Sequence, residues 1–173
     1  MNIVLIGMMG VGKSAIGRRL SQILQIPFLD IDKIIEQKEG KAIAKIFTEN
    51  GEEFFRNIEL KISMDILQEN SHTIISTGGG AIMHETIRNK ILSDNRSIWL
   101  NLSKDQILKR VQKNSTRPLI KKNPQKVINE LIKDRLIYYQ MADIHINCNN
   151  KNINKCANEI IQKLNEMKKN EKD

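Results

Sequence analysis

The chain has 173 residues, the length of one ordinary domain, which can bury a hydrophobic core without disulfides or structural metals. Hydrophobic residues make up 40% and charged residues 28%, as in a soluble globular protein, and no apolar stretch approaches the roughly 18 residues of a membrane span. The net charge of +8 is compatible with nucleic acid binding, but only 4% of residues are aromatic. Because single-strand binders stack bases on aromatic side chains, small anionic substrates explain the basic balance more simply.

The sequence carries no signal for export or for a metal centre built from cysteines. The first apolar run lacks the basic flank and the length of a signal peptide, so we expect a cytoplasmic protein without a membrane or nucleic acid partner. Cys148 and Cys156 have neither a CxxC spacing nor a nearby histidine cluster. They are therefore interpreted as reduced, buried thiols.

Short apolar runs alternate with segments of helical periodicity along the whole chain. The runs predict five β-strands, at residues 2–7, 27–32, 72–80, 97–102 and 142–148. Segments long enough for crossover helices separate them, and this alternation favours an α/β fold with a five-stranded parallel sheet covered on both faces. Loops that follow the carboxyl ends of such strands line one crevice, where ligands of open α/β sheets bind. We expect one domain over residues 1–173.

The first strand leads into "GMMGVGKS", which fits the Walker A pattern G-x-x-x-x-G-K-[ST] at Gly7, Gly12, Lys13 and Ser14, with an additional Gly10. Backbone N–H groups of such a loop converge on phosphate oxygens, and the next helix directs its N-terminus at the anion. The lysine reaches the β- and γ-phosphates and the serine hydroxyl binds magnesium. A plain glycine-rich turn is the alternative, but it does not explain the strand before and the helix after.

The second strand ends in "FLDID", with Asp30 and Asp32 two residues apart. If both belong to a strand, alternation places their carboxylates on the same side. One would then serve a magnesium ion and the other a substrate hydroxyl. The alternative interpretation is that Asp32 caps the next helix.

Two further motifs indicate an acceptor site. In "GEEFFRNIE", Glu59 follows Arg56 at a spacing that orients the guanidinium on a helix, which favours recognition of a carboxylate, although a surface ion pair is the simpler alternative. In "STGGGA", three residues without Cβ follow a strand and permit close approach of a small ligand. A tight turn would need fewer glycines. The three residues are Gly78, Gly79 and Gly80.

Residues 113–126 form the longest polar stretch inside the predicted fold and contain Pro118 and Pro124. This composition favours a mobile lid, and Arg117 within it would bring positive charge to a transferring phosphoryl group. Arg135 lies on the next predicted helix, with Tyr139 one turn away. A single arginine in a sequence does not indicate a particular function. With the Walker loop, these two arginines supply the positive charge that phosphoryl transfer requires.

The motifs "GMMGVGKS", "LDID", "FRNIE", "TGGGA", "TRPLI" and "RLIYYQMAD" occur in this order over most of the chain, and together they resemble the bacterial shikimate kinases. The resemblance implies a three-layer α/β/α P-loop kinase fold, similar to nucleoside monophosphate kinases, with a substrate-binding helical segment at about residues 32–62 and the lid. It also implies a cytoplasmic monomer that uses ATP and one Mg²⁺ ion to phosphorylate the 3-hydroxyl of shikimate, in chorismate biosynthesis.

The resemblance also implies a role for each matched residue. Ser14 would bind magnesium directly and Asp30 would reach it through water. Asp32 would meet the ring hydroxyls of shikimate, Arg56 and Arg135 its carboxylate, and Arg110 the adenine. Ala15 departs from the family, in which a threonine is usual. The implied catalytic residues are Lys13, Asp32 and Arg117; the implied nucleotide-binding residues are Gly10, Val11, Gly12, Lys13, Ser14, Ala15, Arg110 and Arg117; and the implied substrate-binding residues are Asp32, Arg56, Gly78, Gly79, Gly80 and Arg135.

Two other functions stay open at the level of sequence. One is another small-molecule kinase of the same architecture, acting on gluconate or on a nucleotide. A nucleotide acceptor would call for base recognition and further phosphate-binding arginines, whereas the acceptor residues here suit a compact hydroxylated acid. The other is a regulatory ATP-binding module without turnover, which would have no need of the acceptor residues.

Overall fold

The computed structural model describes residues 1–69, 71–114 and 123–170, with residues 113 and 114 described by their backbone alone. Its sheet has five parallel strands in the order β2-β3-β1-β4-β5. All five predicted strands are confirmed, four of them within the predicted run and the fourth, β4, beginning one residue before it. They are β1 (Ile3–Ile6), β2 (Phe28–Asp30), β3 (Ile74–Ser76), β4 (Arg96–Asn101) and β5 (Ile144–Asn147).

The helices pack on both faces of the sheet and give the expected three-layer α/β/α architecture. The described residues contain α1 (Lys13–Leu24), α2 (Ile31–Glu39), α3 (Ile43–Gln68), α4 (Glu85–Asp94), α5 (Lys104–Asn114), α6 (Pro124–Tyr139) and α7 (Ile153–Asn170), with a 3₁₀ turn at Ala81–Met83. Helix α1 contacts β1, β2, β3 and α7, while α4 contacts β4. No helix in the described part of the chain is long and apolar enough to cross a membrane.

The central strand explains why apolar runs predict this sheet so well. Val4, Leu5 and Ile6 of β1 have no exposed surface, because β1 is hydrogen-bonded to a strand on each side and covered on both faces. A strand in that position needs apolar residues at every place rather than at alternate places. In the register of the sheet, Asp30 lies opposite Ser76, so the loops after β2 and β3 leave the sheet at the same edge.

Helix α1 lies unusually close to β2 because residue 17 is a glycine. A Cβ at Gly17 would overlap the ring of Phe28, the first residue of β2. Since β2 ends at Asp30, this close packing also sets where that carboxylate stands relative to the start of α1.

The structure corrects the interpretation of the two aspartates. Asp30 ends β2 and is also the N-cap of α2, since its Oδ1 accepts a hydrogen bond from the backbone N–H of Lys33 at 3.3 Å. Asp32 is in the first turn of that helix. Strand alternation therefore does not relate the two carboxylates, and the capping residue is Asp30 rather than Asp32.

Most of the predicted lid, including Arg117, lies outside the described residues. The described end of this segment differs from the prediction, because α6 begins already at Pro124. Asn123 caps the helix by accepting a hydrogen bond from the backbone N–H of Lys126, and proline is favourable at the first helical position. The absence of apolar periodicity in the first turn had hidden this helix start.

We expect Gly17→Val to lower the free energy of unfolding by about 1–3 kcal/mol, because the new side chain must displace the Phe28 ring from a packed position. Gln22→Val, at an exposed position of the same helix, is the matched control and should cost only about 0.5 kcal/mol through helix propensity. Urea unfolding measures both. Equal losses would show that the contact between α1 and β2 is not tight.

Replacement of Asp30 separates its capping role from its charge. Asp30→Ala should lower the free energy of unfolding by about 1 kcal/mol, since the cap of α2 is lost. Asp30→Asn keeps an oxygen that can accept the same hydrogen bond and should lose at most a few tenths of a kcal/mol. Thermal and urea unfolding of the three proteins test this, and an alanine variant as stable as the parent would contradict the cap.

Candidate active site

The phosphate-loop sequence forms a strand, a loop and a helix in that order. After β1 the chain turns through Gly10 and Gly12, with φ of 75° and 104°, and α1 begins at Lys13. Such backbone angles suit glycine. At Gly7 the constraint is space, because a Cβ there would lie 2.5 Å from the carbonyl oxygen of Leu100. Among the described residues, no side chain caps the N-terminus of α1. This is the geometry in which helix N-termini bind phosphate.

Lys13 is buried against the loop that it follows. Only 8% of it is exposed, and Nζ donates hydrogen bonds to the carbonyl oxygens of Gly7 at 2.8 Å and Met8 at 3.1 Å. A buried ammonium group needs such acceptors, because desolvation without them is costly. The lysine therefore stabilises the loop while placing its positive charge in it.

Arg110 connects α5 to the same loop. One of its terminal nitrogens donates to the carbonyl oxygens of Gly10 and Val11, both at 3.1 Å. Arg110, which is expected near the adenine, thus contacts the phosphate loop at Gly10 and Val11.

Arg56 is held by two carboxylates on α3. Its terminal nitrogens donate to Glu59 at 2.6 Å and to Glu52 at 3.0 Å. Helix α3 has a break at Gly51, where φ is 86° and ψ is 173°, and all three charged residues follow the break. The pairing with Glu59 agrees with the predicted spacing. That with Glu52 was missed, although a glutamate four residues before an arginine is itself a pairing signal.

Glu59 differs from a surface partner in its burial. Its side chain is only 3% exposed, whereas that of Glu52 is 63% exposed. Burial raises the pKa of Glu59, and the charge of Arg56 opposes this shift. Arg135 acts in the same direction as Arg56, so the buried carboxylate lies within the field of two guanidinium groups.

Arg135 approaches the glycine triplet from α6. It is 7% exposed, and one terminal nitrogen donates to the carbonyl oxygen of Gly79 at 3.1 Å. Tyr139, one helical turn later, donates its hydroxyl to the same oxygen at 2.5 Å. Burial raises the pKa of Tyr139 to about 12, so this hydroxyl stays protonated over the ordinary pH range.

The three glycines explain how these charged groups fit together. A Cβ at Gly78 would overlap the Glu59 carboxylate and lie 3.0 Å from Oδ1 of Asp32. A Cβ at Gly80 would lie 2.7 Å from a terminal nitrogen of Arg56. Any larger residue would have to displace these side chains. The structure therefore brings the predicted acceptor residues Asp32, Arg56 and Arg135 around one stretch of bare backbone.

The same backbone also adjoins the phosphate loop. The Cβ position of Gly79 is 3.2 Å from the backbone nitrogen of Met9. A cavity of about 390 Å³ lies beside the two arginines. Its lining combines charged residues with an apolar wall, and comprises Glu52, Arg56, Glu59, Gly80, Met83, His84, Ile87, Leu131, Asp134 and Arg135. The cavity and the phosphate loop therefore both lie beside the glycine triplet.

The sequence was compared with known families and proteins. A family model described as shikimate kinase matches residues 9–165. The shikimate kinase of Bartonella henselae is 37% identical over 94% of this chain and 77% of its own length. That of a Sulfurihydrogenibium species is 36% identical over 94% of this chain and 97% of its own length.

Solved structures agree with the sequence matches. A shikimate kinase from Acinetobacter baumannii in complex with shikimate has a TM-score of 0.91 at 32% identity, over 96% of this chain and 94% of that one. A gluconokinase from Sinorhizobium meliloti, with a TM-score of 0.59 at 13% identity over 98% of this chain and 94% of that one, shares the fold alone. By its sequence and its fold, this chain belongs to the shikimate kinase family.

Proposed function

We propose that the chain transfers the γ-phosphate of ATP to the 3-hydroxyl of shikimate, giving shikimate 3-phosphate and ADP on the route to chorismate and the aromatic amino acids. One observation carries the proposal: two guanidinium groups and two carboxylates surround a triple-glycine backbone that adjoins a phosphate loop. A compact acid with several hydroxyl groups matches this combination of charges and hydrogen-bonding groups.

The nucleotide would be held by the phosphate loop and the start of α1. Backbone N–H groups of residues 10–15 would contact its phosphates, and the Lys13 ammonium would exchange its carbonyl partners for phosphate oxygens. Arg110, already bonded to the outer turn of the loop, would lie beside the adenine. Ala15 follows Ser14 in the first turn of α1, so the nucleotide site lacks the second hydroxyl that the threonine usual in the family would provide.

Magnesium would be held by the hydroxyl of Ser14 and, through water, by Asp30. The described residues contain no group of three or more His, Cys, Asp or Glu side chains that could hold a metal. Two protein oxygens nevertheless fit Mg²⁺, which usually keeps several waters and takes the remaining ligands from substrate phosphates. When bound, the ion would neutralise charge on the β- and γ-phosphates.

The acceptor would be held both at its carboxylate and at its ring hydroxyls. Arg56 and Arg135 would bind its carboxylate, with Glu59 orienting Arg56. Asp32 and the backbone at Gly79 would meet ring hydroxyls and direct one of them at the γ-phosphate. Because phosphoryl transfer has a loose transition state, positioning and charge neutralisation matter more than removal of the hydroxyl proton.

Arg117 lies outside the described residues. Its role stays a prediction from the sequence, which is that it brings positive charge from the lid to the transferring phosphoryl group. We further propose a monomer of the cytoplasm, as the resemblance to the shikimate kinases implies.

The acceptor is identified by a coupled assay of ADP release with shikimate, quinate, gluconate and nucleoside monophosphates. We expect turnover with shikimate well above that with the others. Quinate carries an additional hydroxyl on the ring carbon that bears its carboxylate, gluconate is an open chain, and a nucleoside monophosphate has no ring carboxylate for Arg56 and Arg135 to bind. Activity confined to gluconate or to nucleotides would overturn the proposal, and ATP binding without ADP release for any acceptor would indicate a regulatory ATP-binding module.

Replacement of Lys13 tests the phosphate loop. Since the lysine is buried, methionine is the suitable substitute, because it fills the space of the aliphatic part of the side chain. Lys13→Met should lower kcat by about 10²–10³-fold, as expected for loss of a preorganised charge at the reacting phosphates. Lys168→Met, an exposed residue of α7, is the control. Near-normal turnover of Lys13→Met would remove the lysine from the reaction.

Arg56→Lys keeps the charge but loses the planar fork that grips a carboxylate at two points. We expect kcat/KM for shikimate to fall by 10-fold or more, while the preference for shikimate over its methyl ester weakens. Arg18→Lys, at an exposed position of α1, is the control. If the variant discriminated between acid and ester as strongly as the parent, Arg56 would not bind the carboxylate.

A further inference from the structure

Tyr139 connects three parts of the site without having been assigned a role. It is the last residue of α6 and is 2% exposed. Its hydroxyl donates to the carbonyl oxygen of Gly79 at 2.5 Å, and the sulfur of Met8 in the phosphate loop lies 3.9 Å from it. Its ring stacks on Trp99 of β4, with centroids 6.1 Å apart and planes 14° from parallel. The side chain therefore has little freedom to move.

The carbonyl group of Gly79 receives two donors from one helix face. Arg135 donates at 3.1 Å, and the Tyr139 hydroxyl, four residues later, donates at the shorter distance. Residues at this spacing lie one above the other on a helix, so they can share one acceptor. The carbonyl thus points firmly toward α6.

The hydrogen bonds to this carbonyl restrict a backbone segment that would otherwise be conformationally flexible, because it consists of glycines. Without Cβ, Gly79 and Gly80 have access to a wide range of backbone angles. In a planar trans peptide, the N–H of Gly80 points opposite to the carbonyl of Gly79. Two donors on the carbonyl therefore fix the peptide plane and direct the N–H of Gly80 away from α6.

We propose that Tyr139 is a positioning residue for the acceptor: its hydroxyl fixes the Gly79–Gly80 peptide plane, so that this backbone meets one of the two non-reacting ring hydroxyls of shikimate and holds the ring in the orientation needed for transfer. The inference rests on the proposed function. The hydroxyl acts only through the backbone and exchanges no proton, in keeping with its burial and its bonded state.

The neighbouring tyrosine provides a matched control. Tyr138 is on the same helix, and its ring lies under the guanidinium of Arg88, 4.3 Å from the ring centroid. Tyr139→Phe and Tyr138→Phe each remove one oxygen from adjacent positions. We expect Tyr139→Phe to lower kcat/KM for shikimate by 10-fold or more with the KM for ATP within about 2-fold, while Tyr138→Phe stays close to the parent.

Thermal unfolding, followed by the fluorescence of Trp99, distinguishes a positioning role from a structural one. Tyr139→Phe should still unfold cooperatively, because Arg135 continues to satisfy the Gly79 carbonyl. Loss of cooperative unfolding would overturn the proposal, since the hydroxyl would then serve folding. The proposal would also be overturned if Tyr139→Phe left kcat/KM for shikimate unchanged, if Tyr138→Phe lowered it equally, or if Tyr139→Phe weakened ATP binding to the same extent.

Deoxy analogues of shikimate identify the interaction. If the peptide plane meets the 4- or the 5-hydroxyl, the penalty of Tyr139→Phe should shrink several-fold for the analogue that lacks that hydroxyl, as in a double-mutant cycle. A penalty equal for shikimate and both analogues would overturn the inference. Failure of the parent protein to phosphorylate shikimate would instead overturn the proposed function, before any variant is compared.

Discussion

The site depends on the solvation of buried positive charge by backbone carbonyls and one buried carboxylate. Lys13 and Arg135 are each less than a tenth exposed, and both donate to carbonyl oxygens of the loops that they approach. An ammonium or guanidinium group removed from water without such acceptors would be strongly destabilising. The two cations therefore fix the loops, and the loops in turn fix the cations at the places where anionic groups of the substrates would lie.

The glycine triplet is the counterpart of this arrangement. Glu59, Asp32 and Arg56 approach the backbone of residues 78–80 so closely that Cβ atoms at Gly78 or Gly80 would collide with them. Because the three glycines have no side chains, charged groups from the neighbouring helices can lie close together beside them. The burial that raises the pKa of Glu59 also shows that this close placement is gained at some expense of stability. A carboxylate in that position is better explained by orientation of the arginines than by stabilisation of the fold.

Helix α6 contacts both the glycine triplet and the phosphate loop. It begins at Pro124, within the segment predicted to form the lid, and at its other end Arg135 and Tyr139 donate to the Gly79 carbonyl. Through Tyr139 it also touches Met8 of the phosphate loop. Because Tyr139 also stacks on Trp99 of β4, the position of this end of α6 relative to the Gly79 carbonyl and the phosphate loop depends on that ring contact.

Sequence alone determined the strands, the phosphate loop and the pairing of Arg56 with Glu59, because each has a local cause: apolar runs for buried parallel strands, fixed glycine spacing for the loop, and an i,i+3 spacing for the ion pair. Only the tertiary structure showed that Asp30 caps α2 while Asp32 lies in its first turn, since the end of β2 depends on pairing with β3. The second partner of Arg56 could have been found by its spacing. The bond from Tyr139 to Gly79 could not, because its two residues are 60 positions apart and meet only when α6 packs beside the carboxyl end of β3.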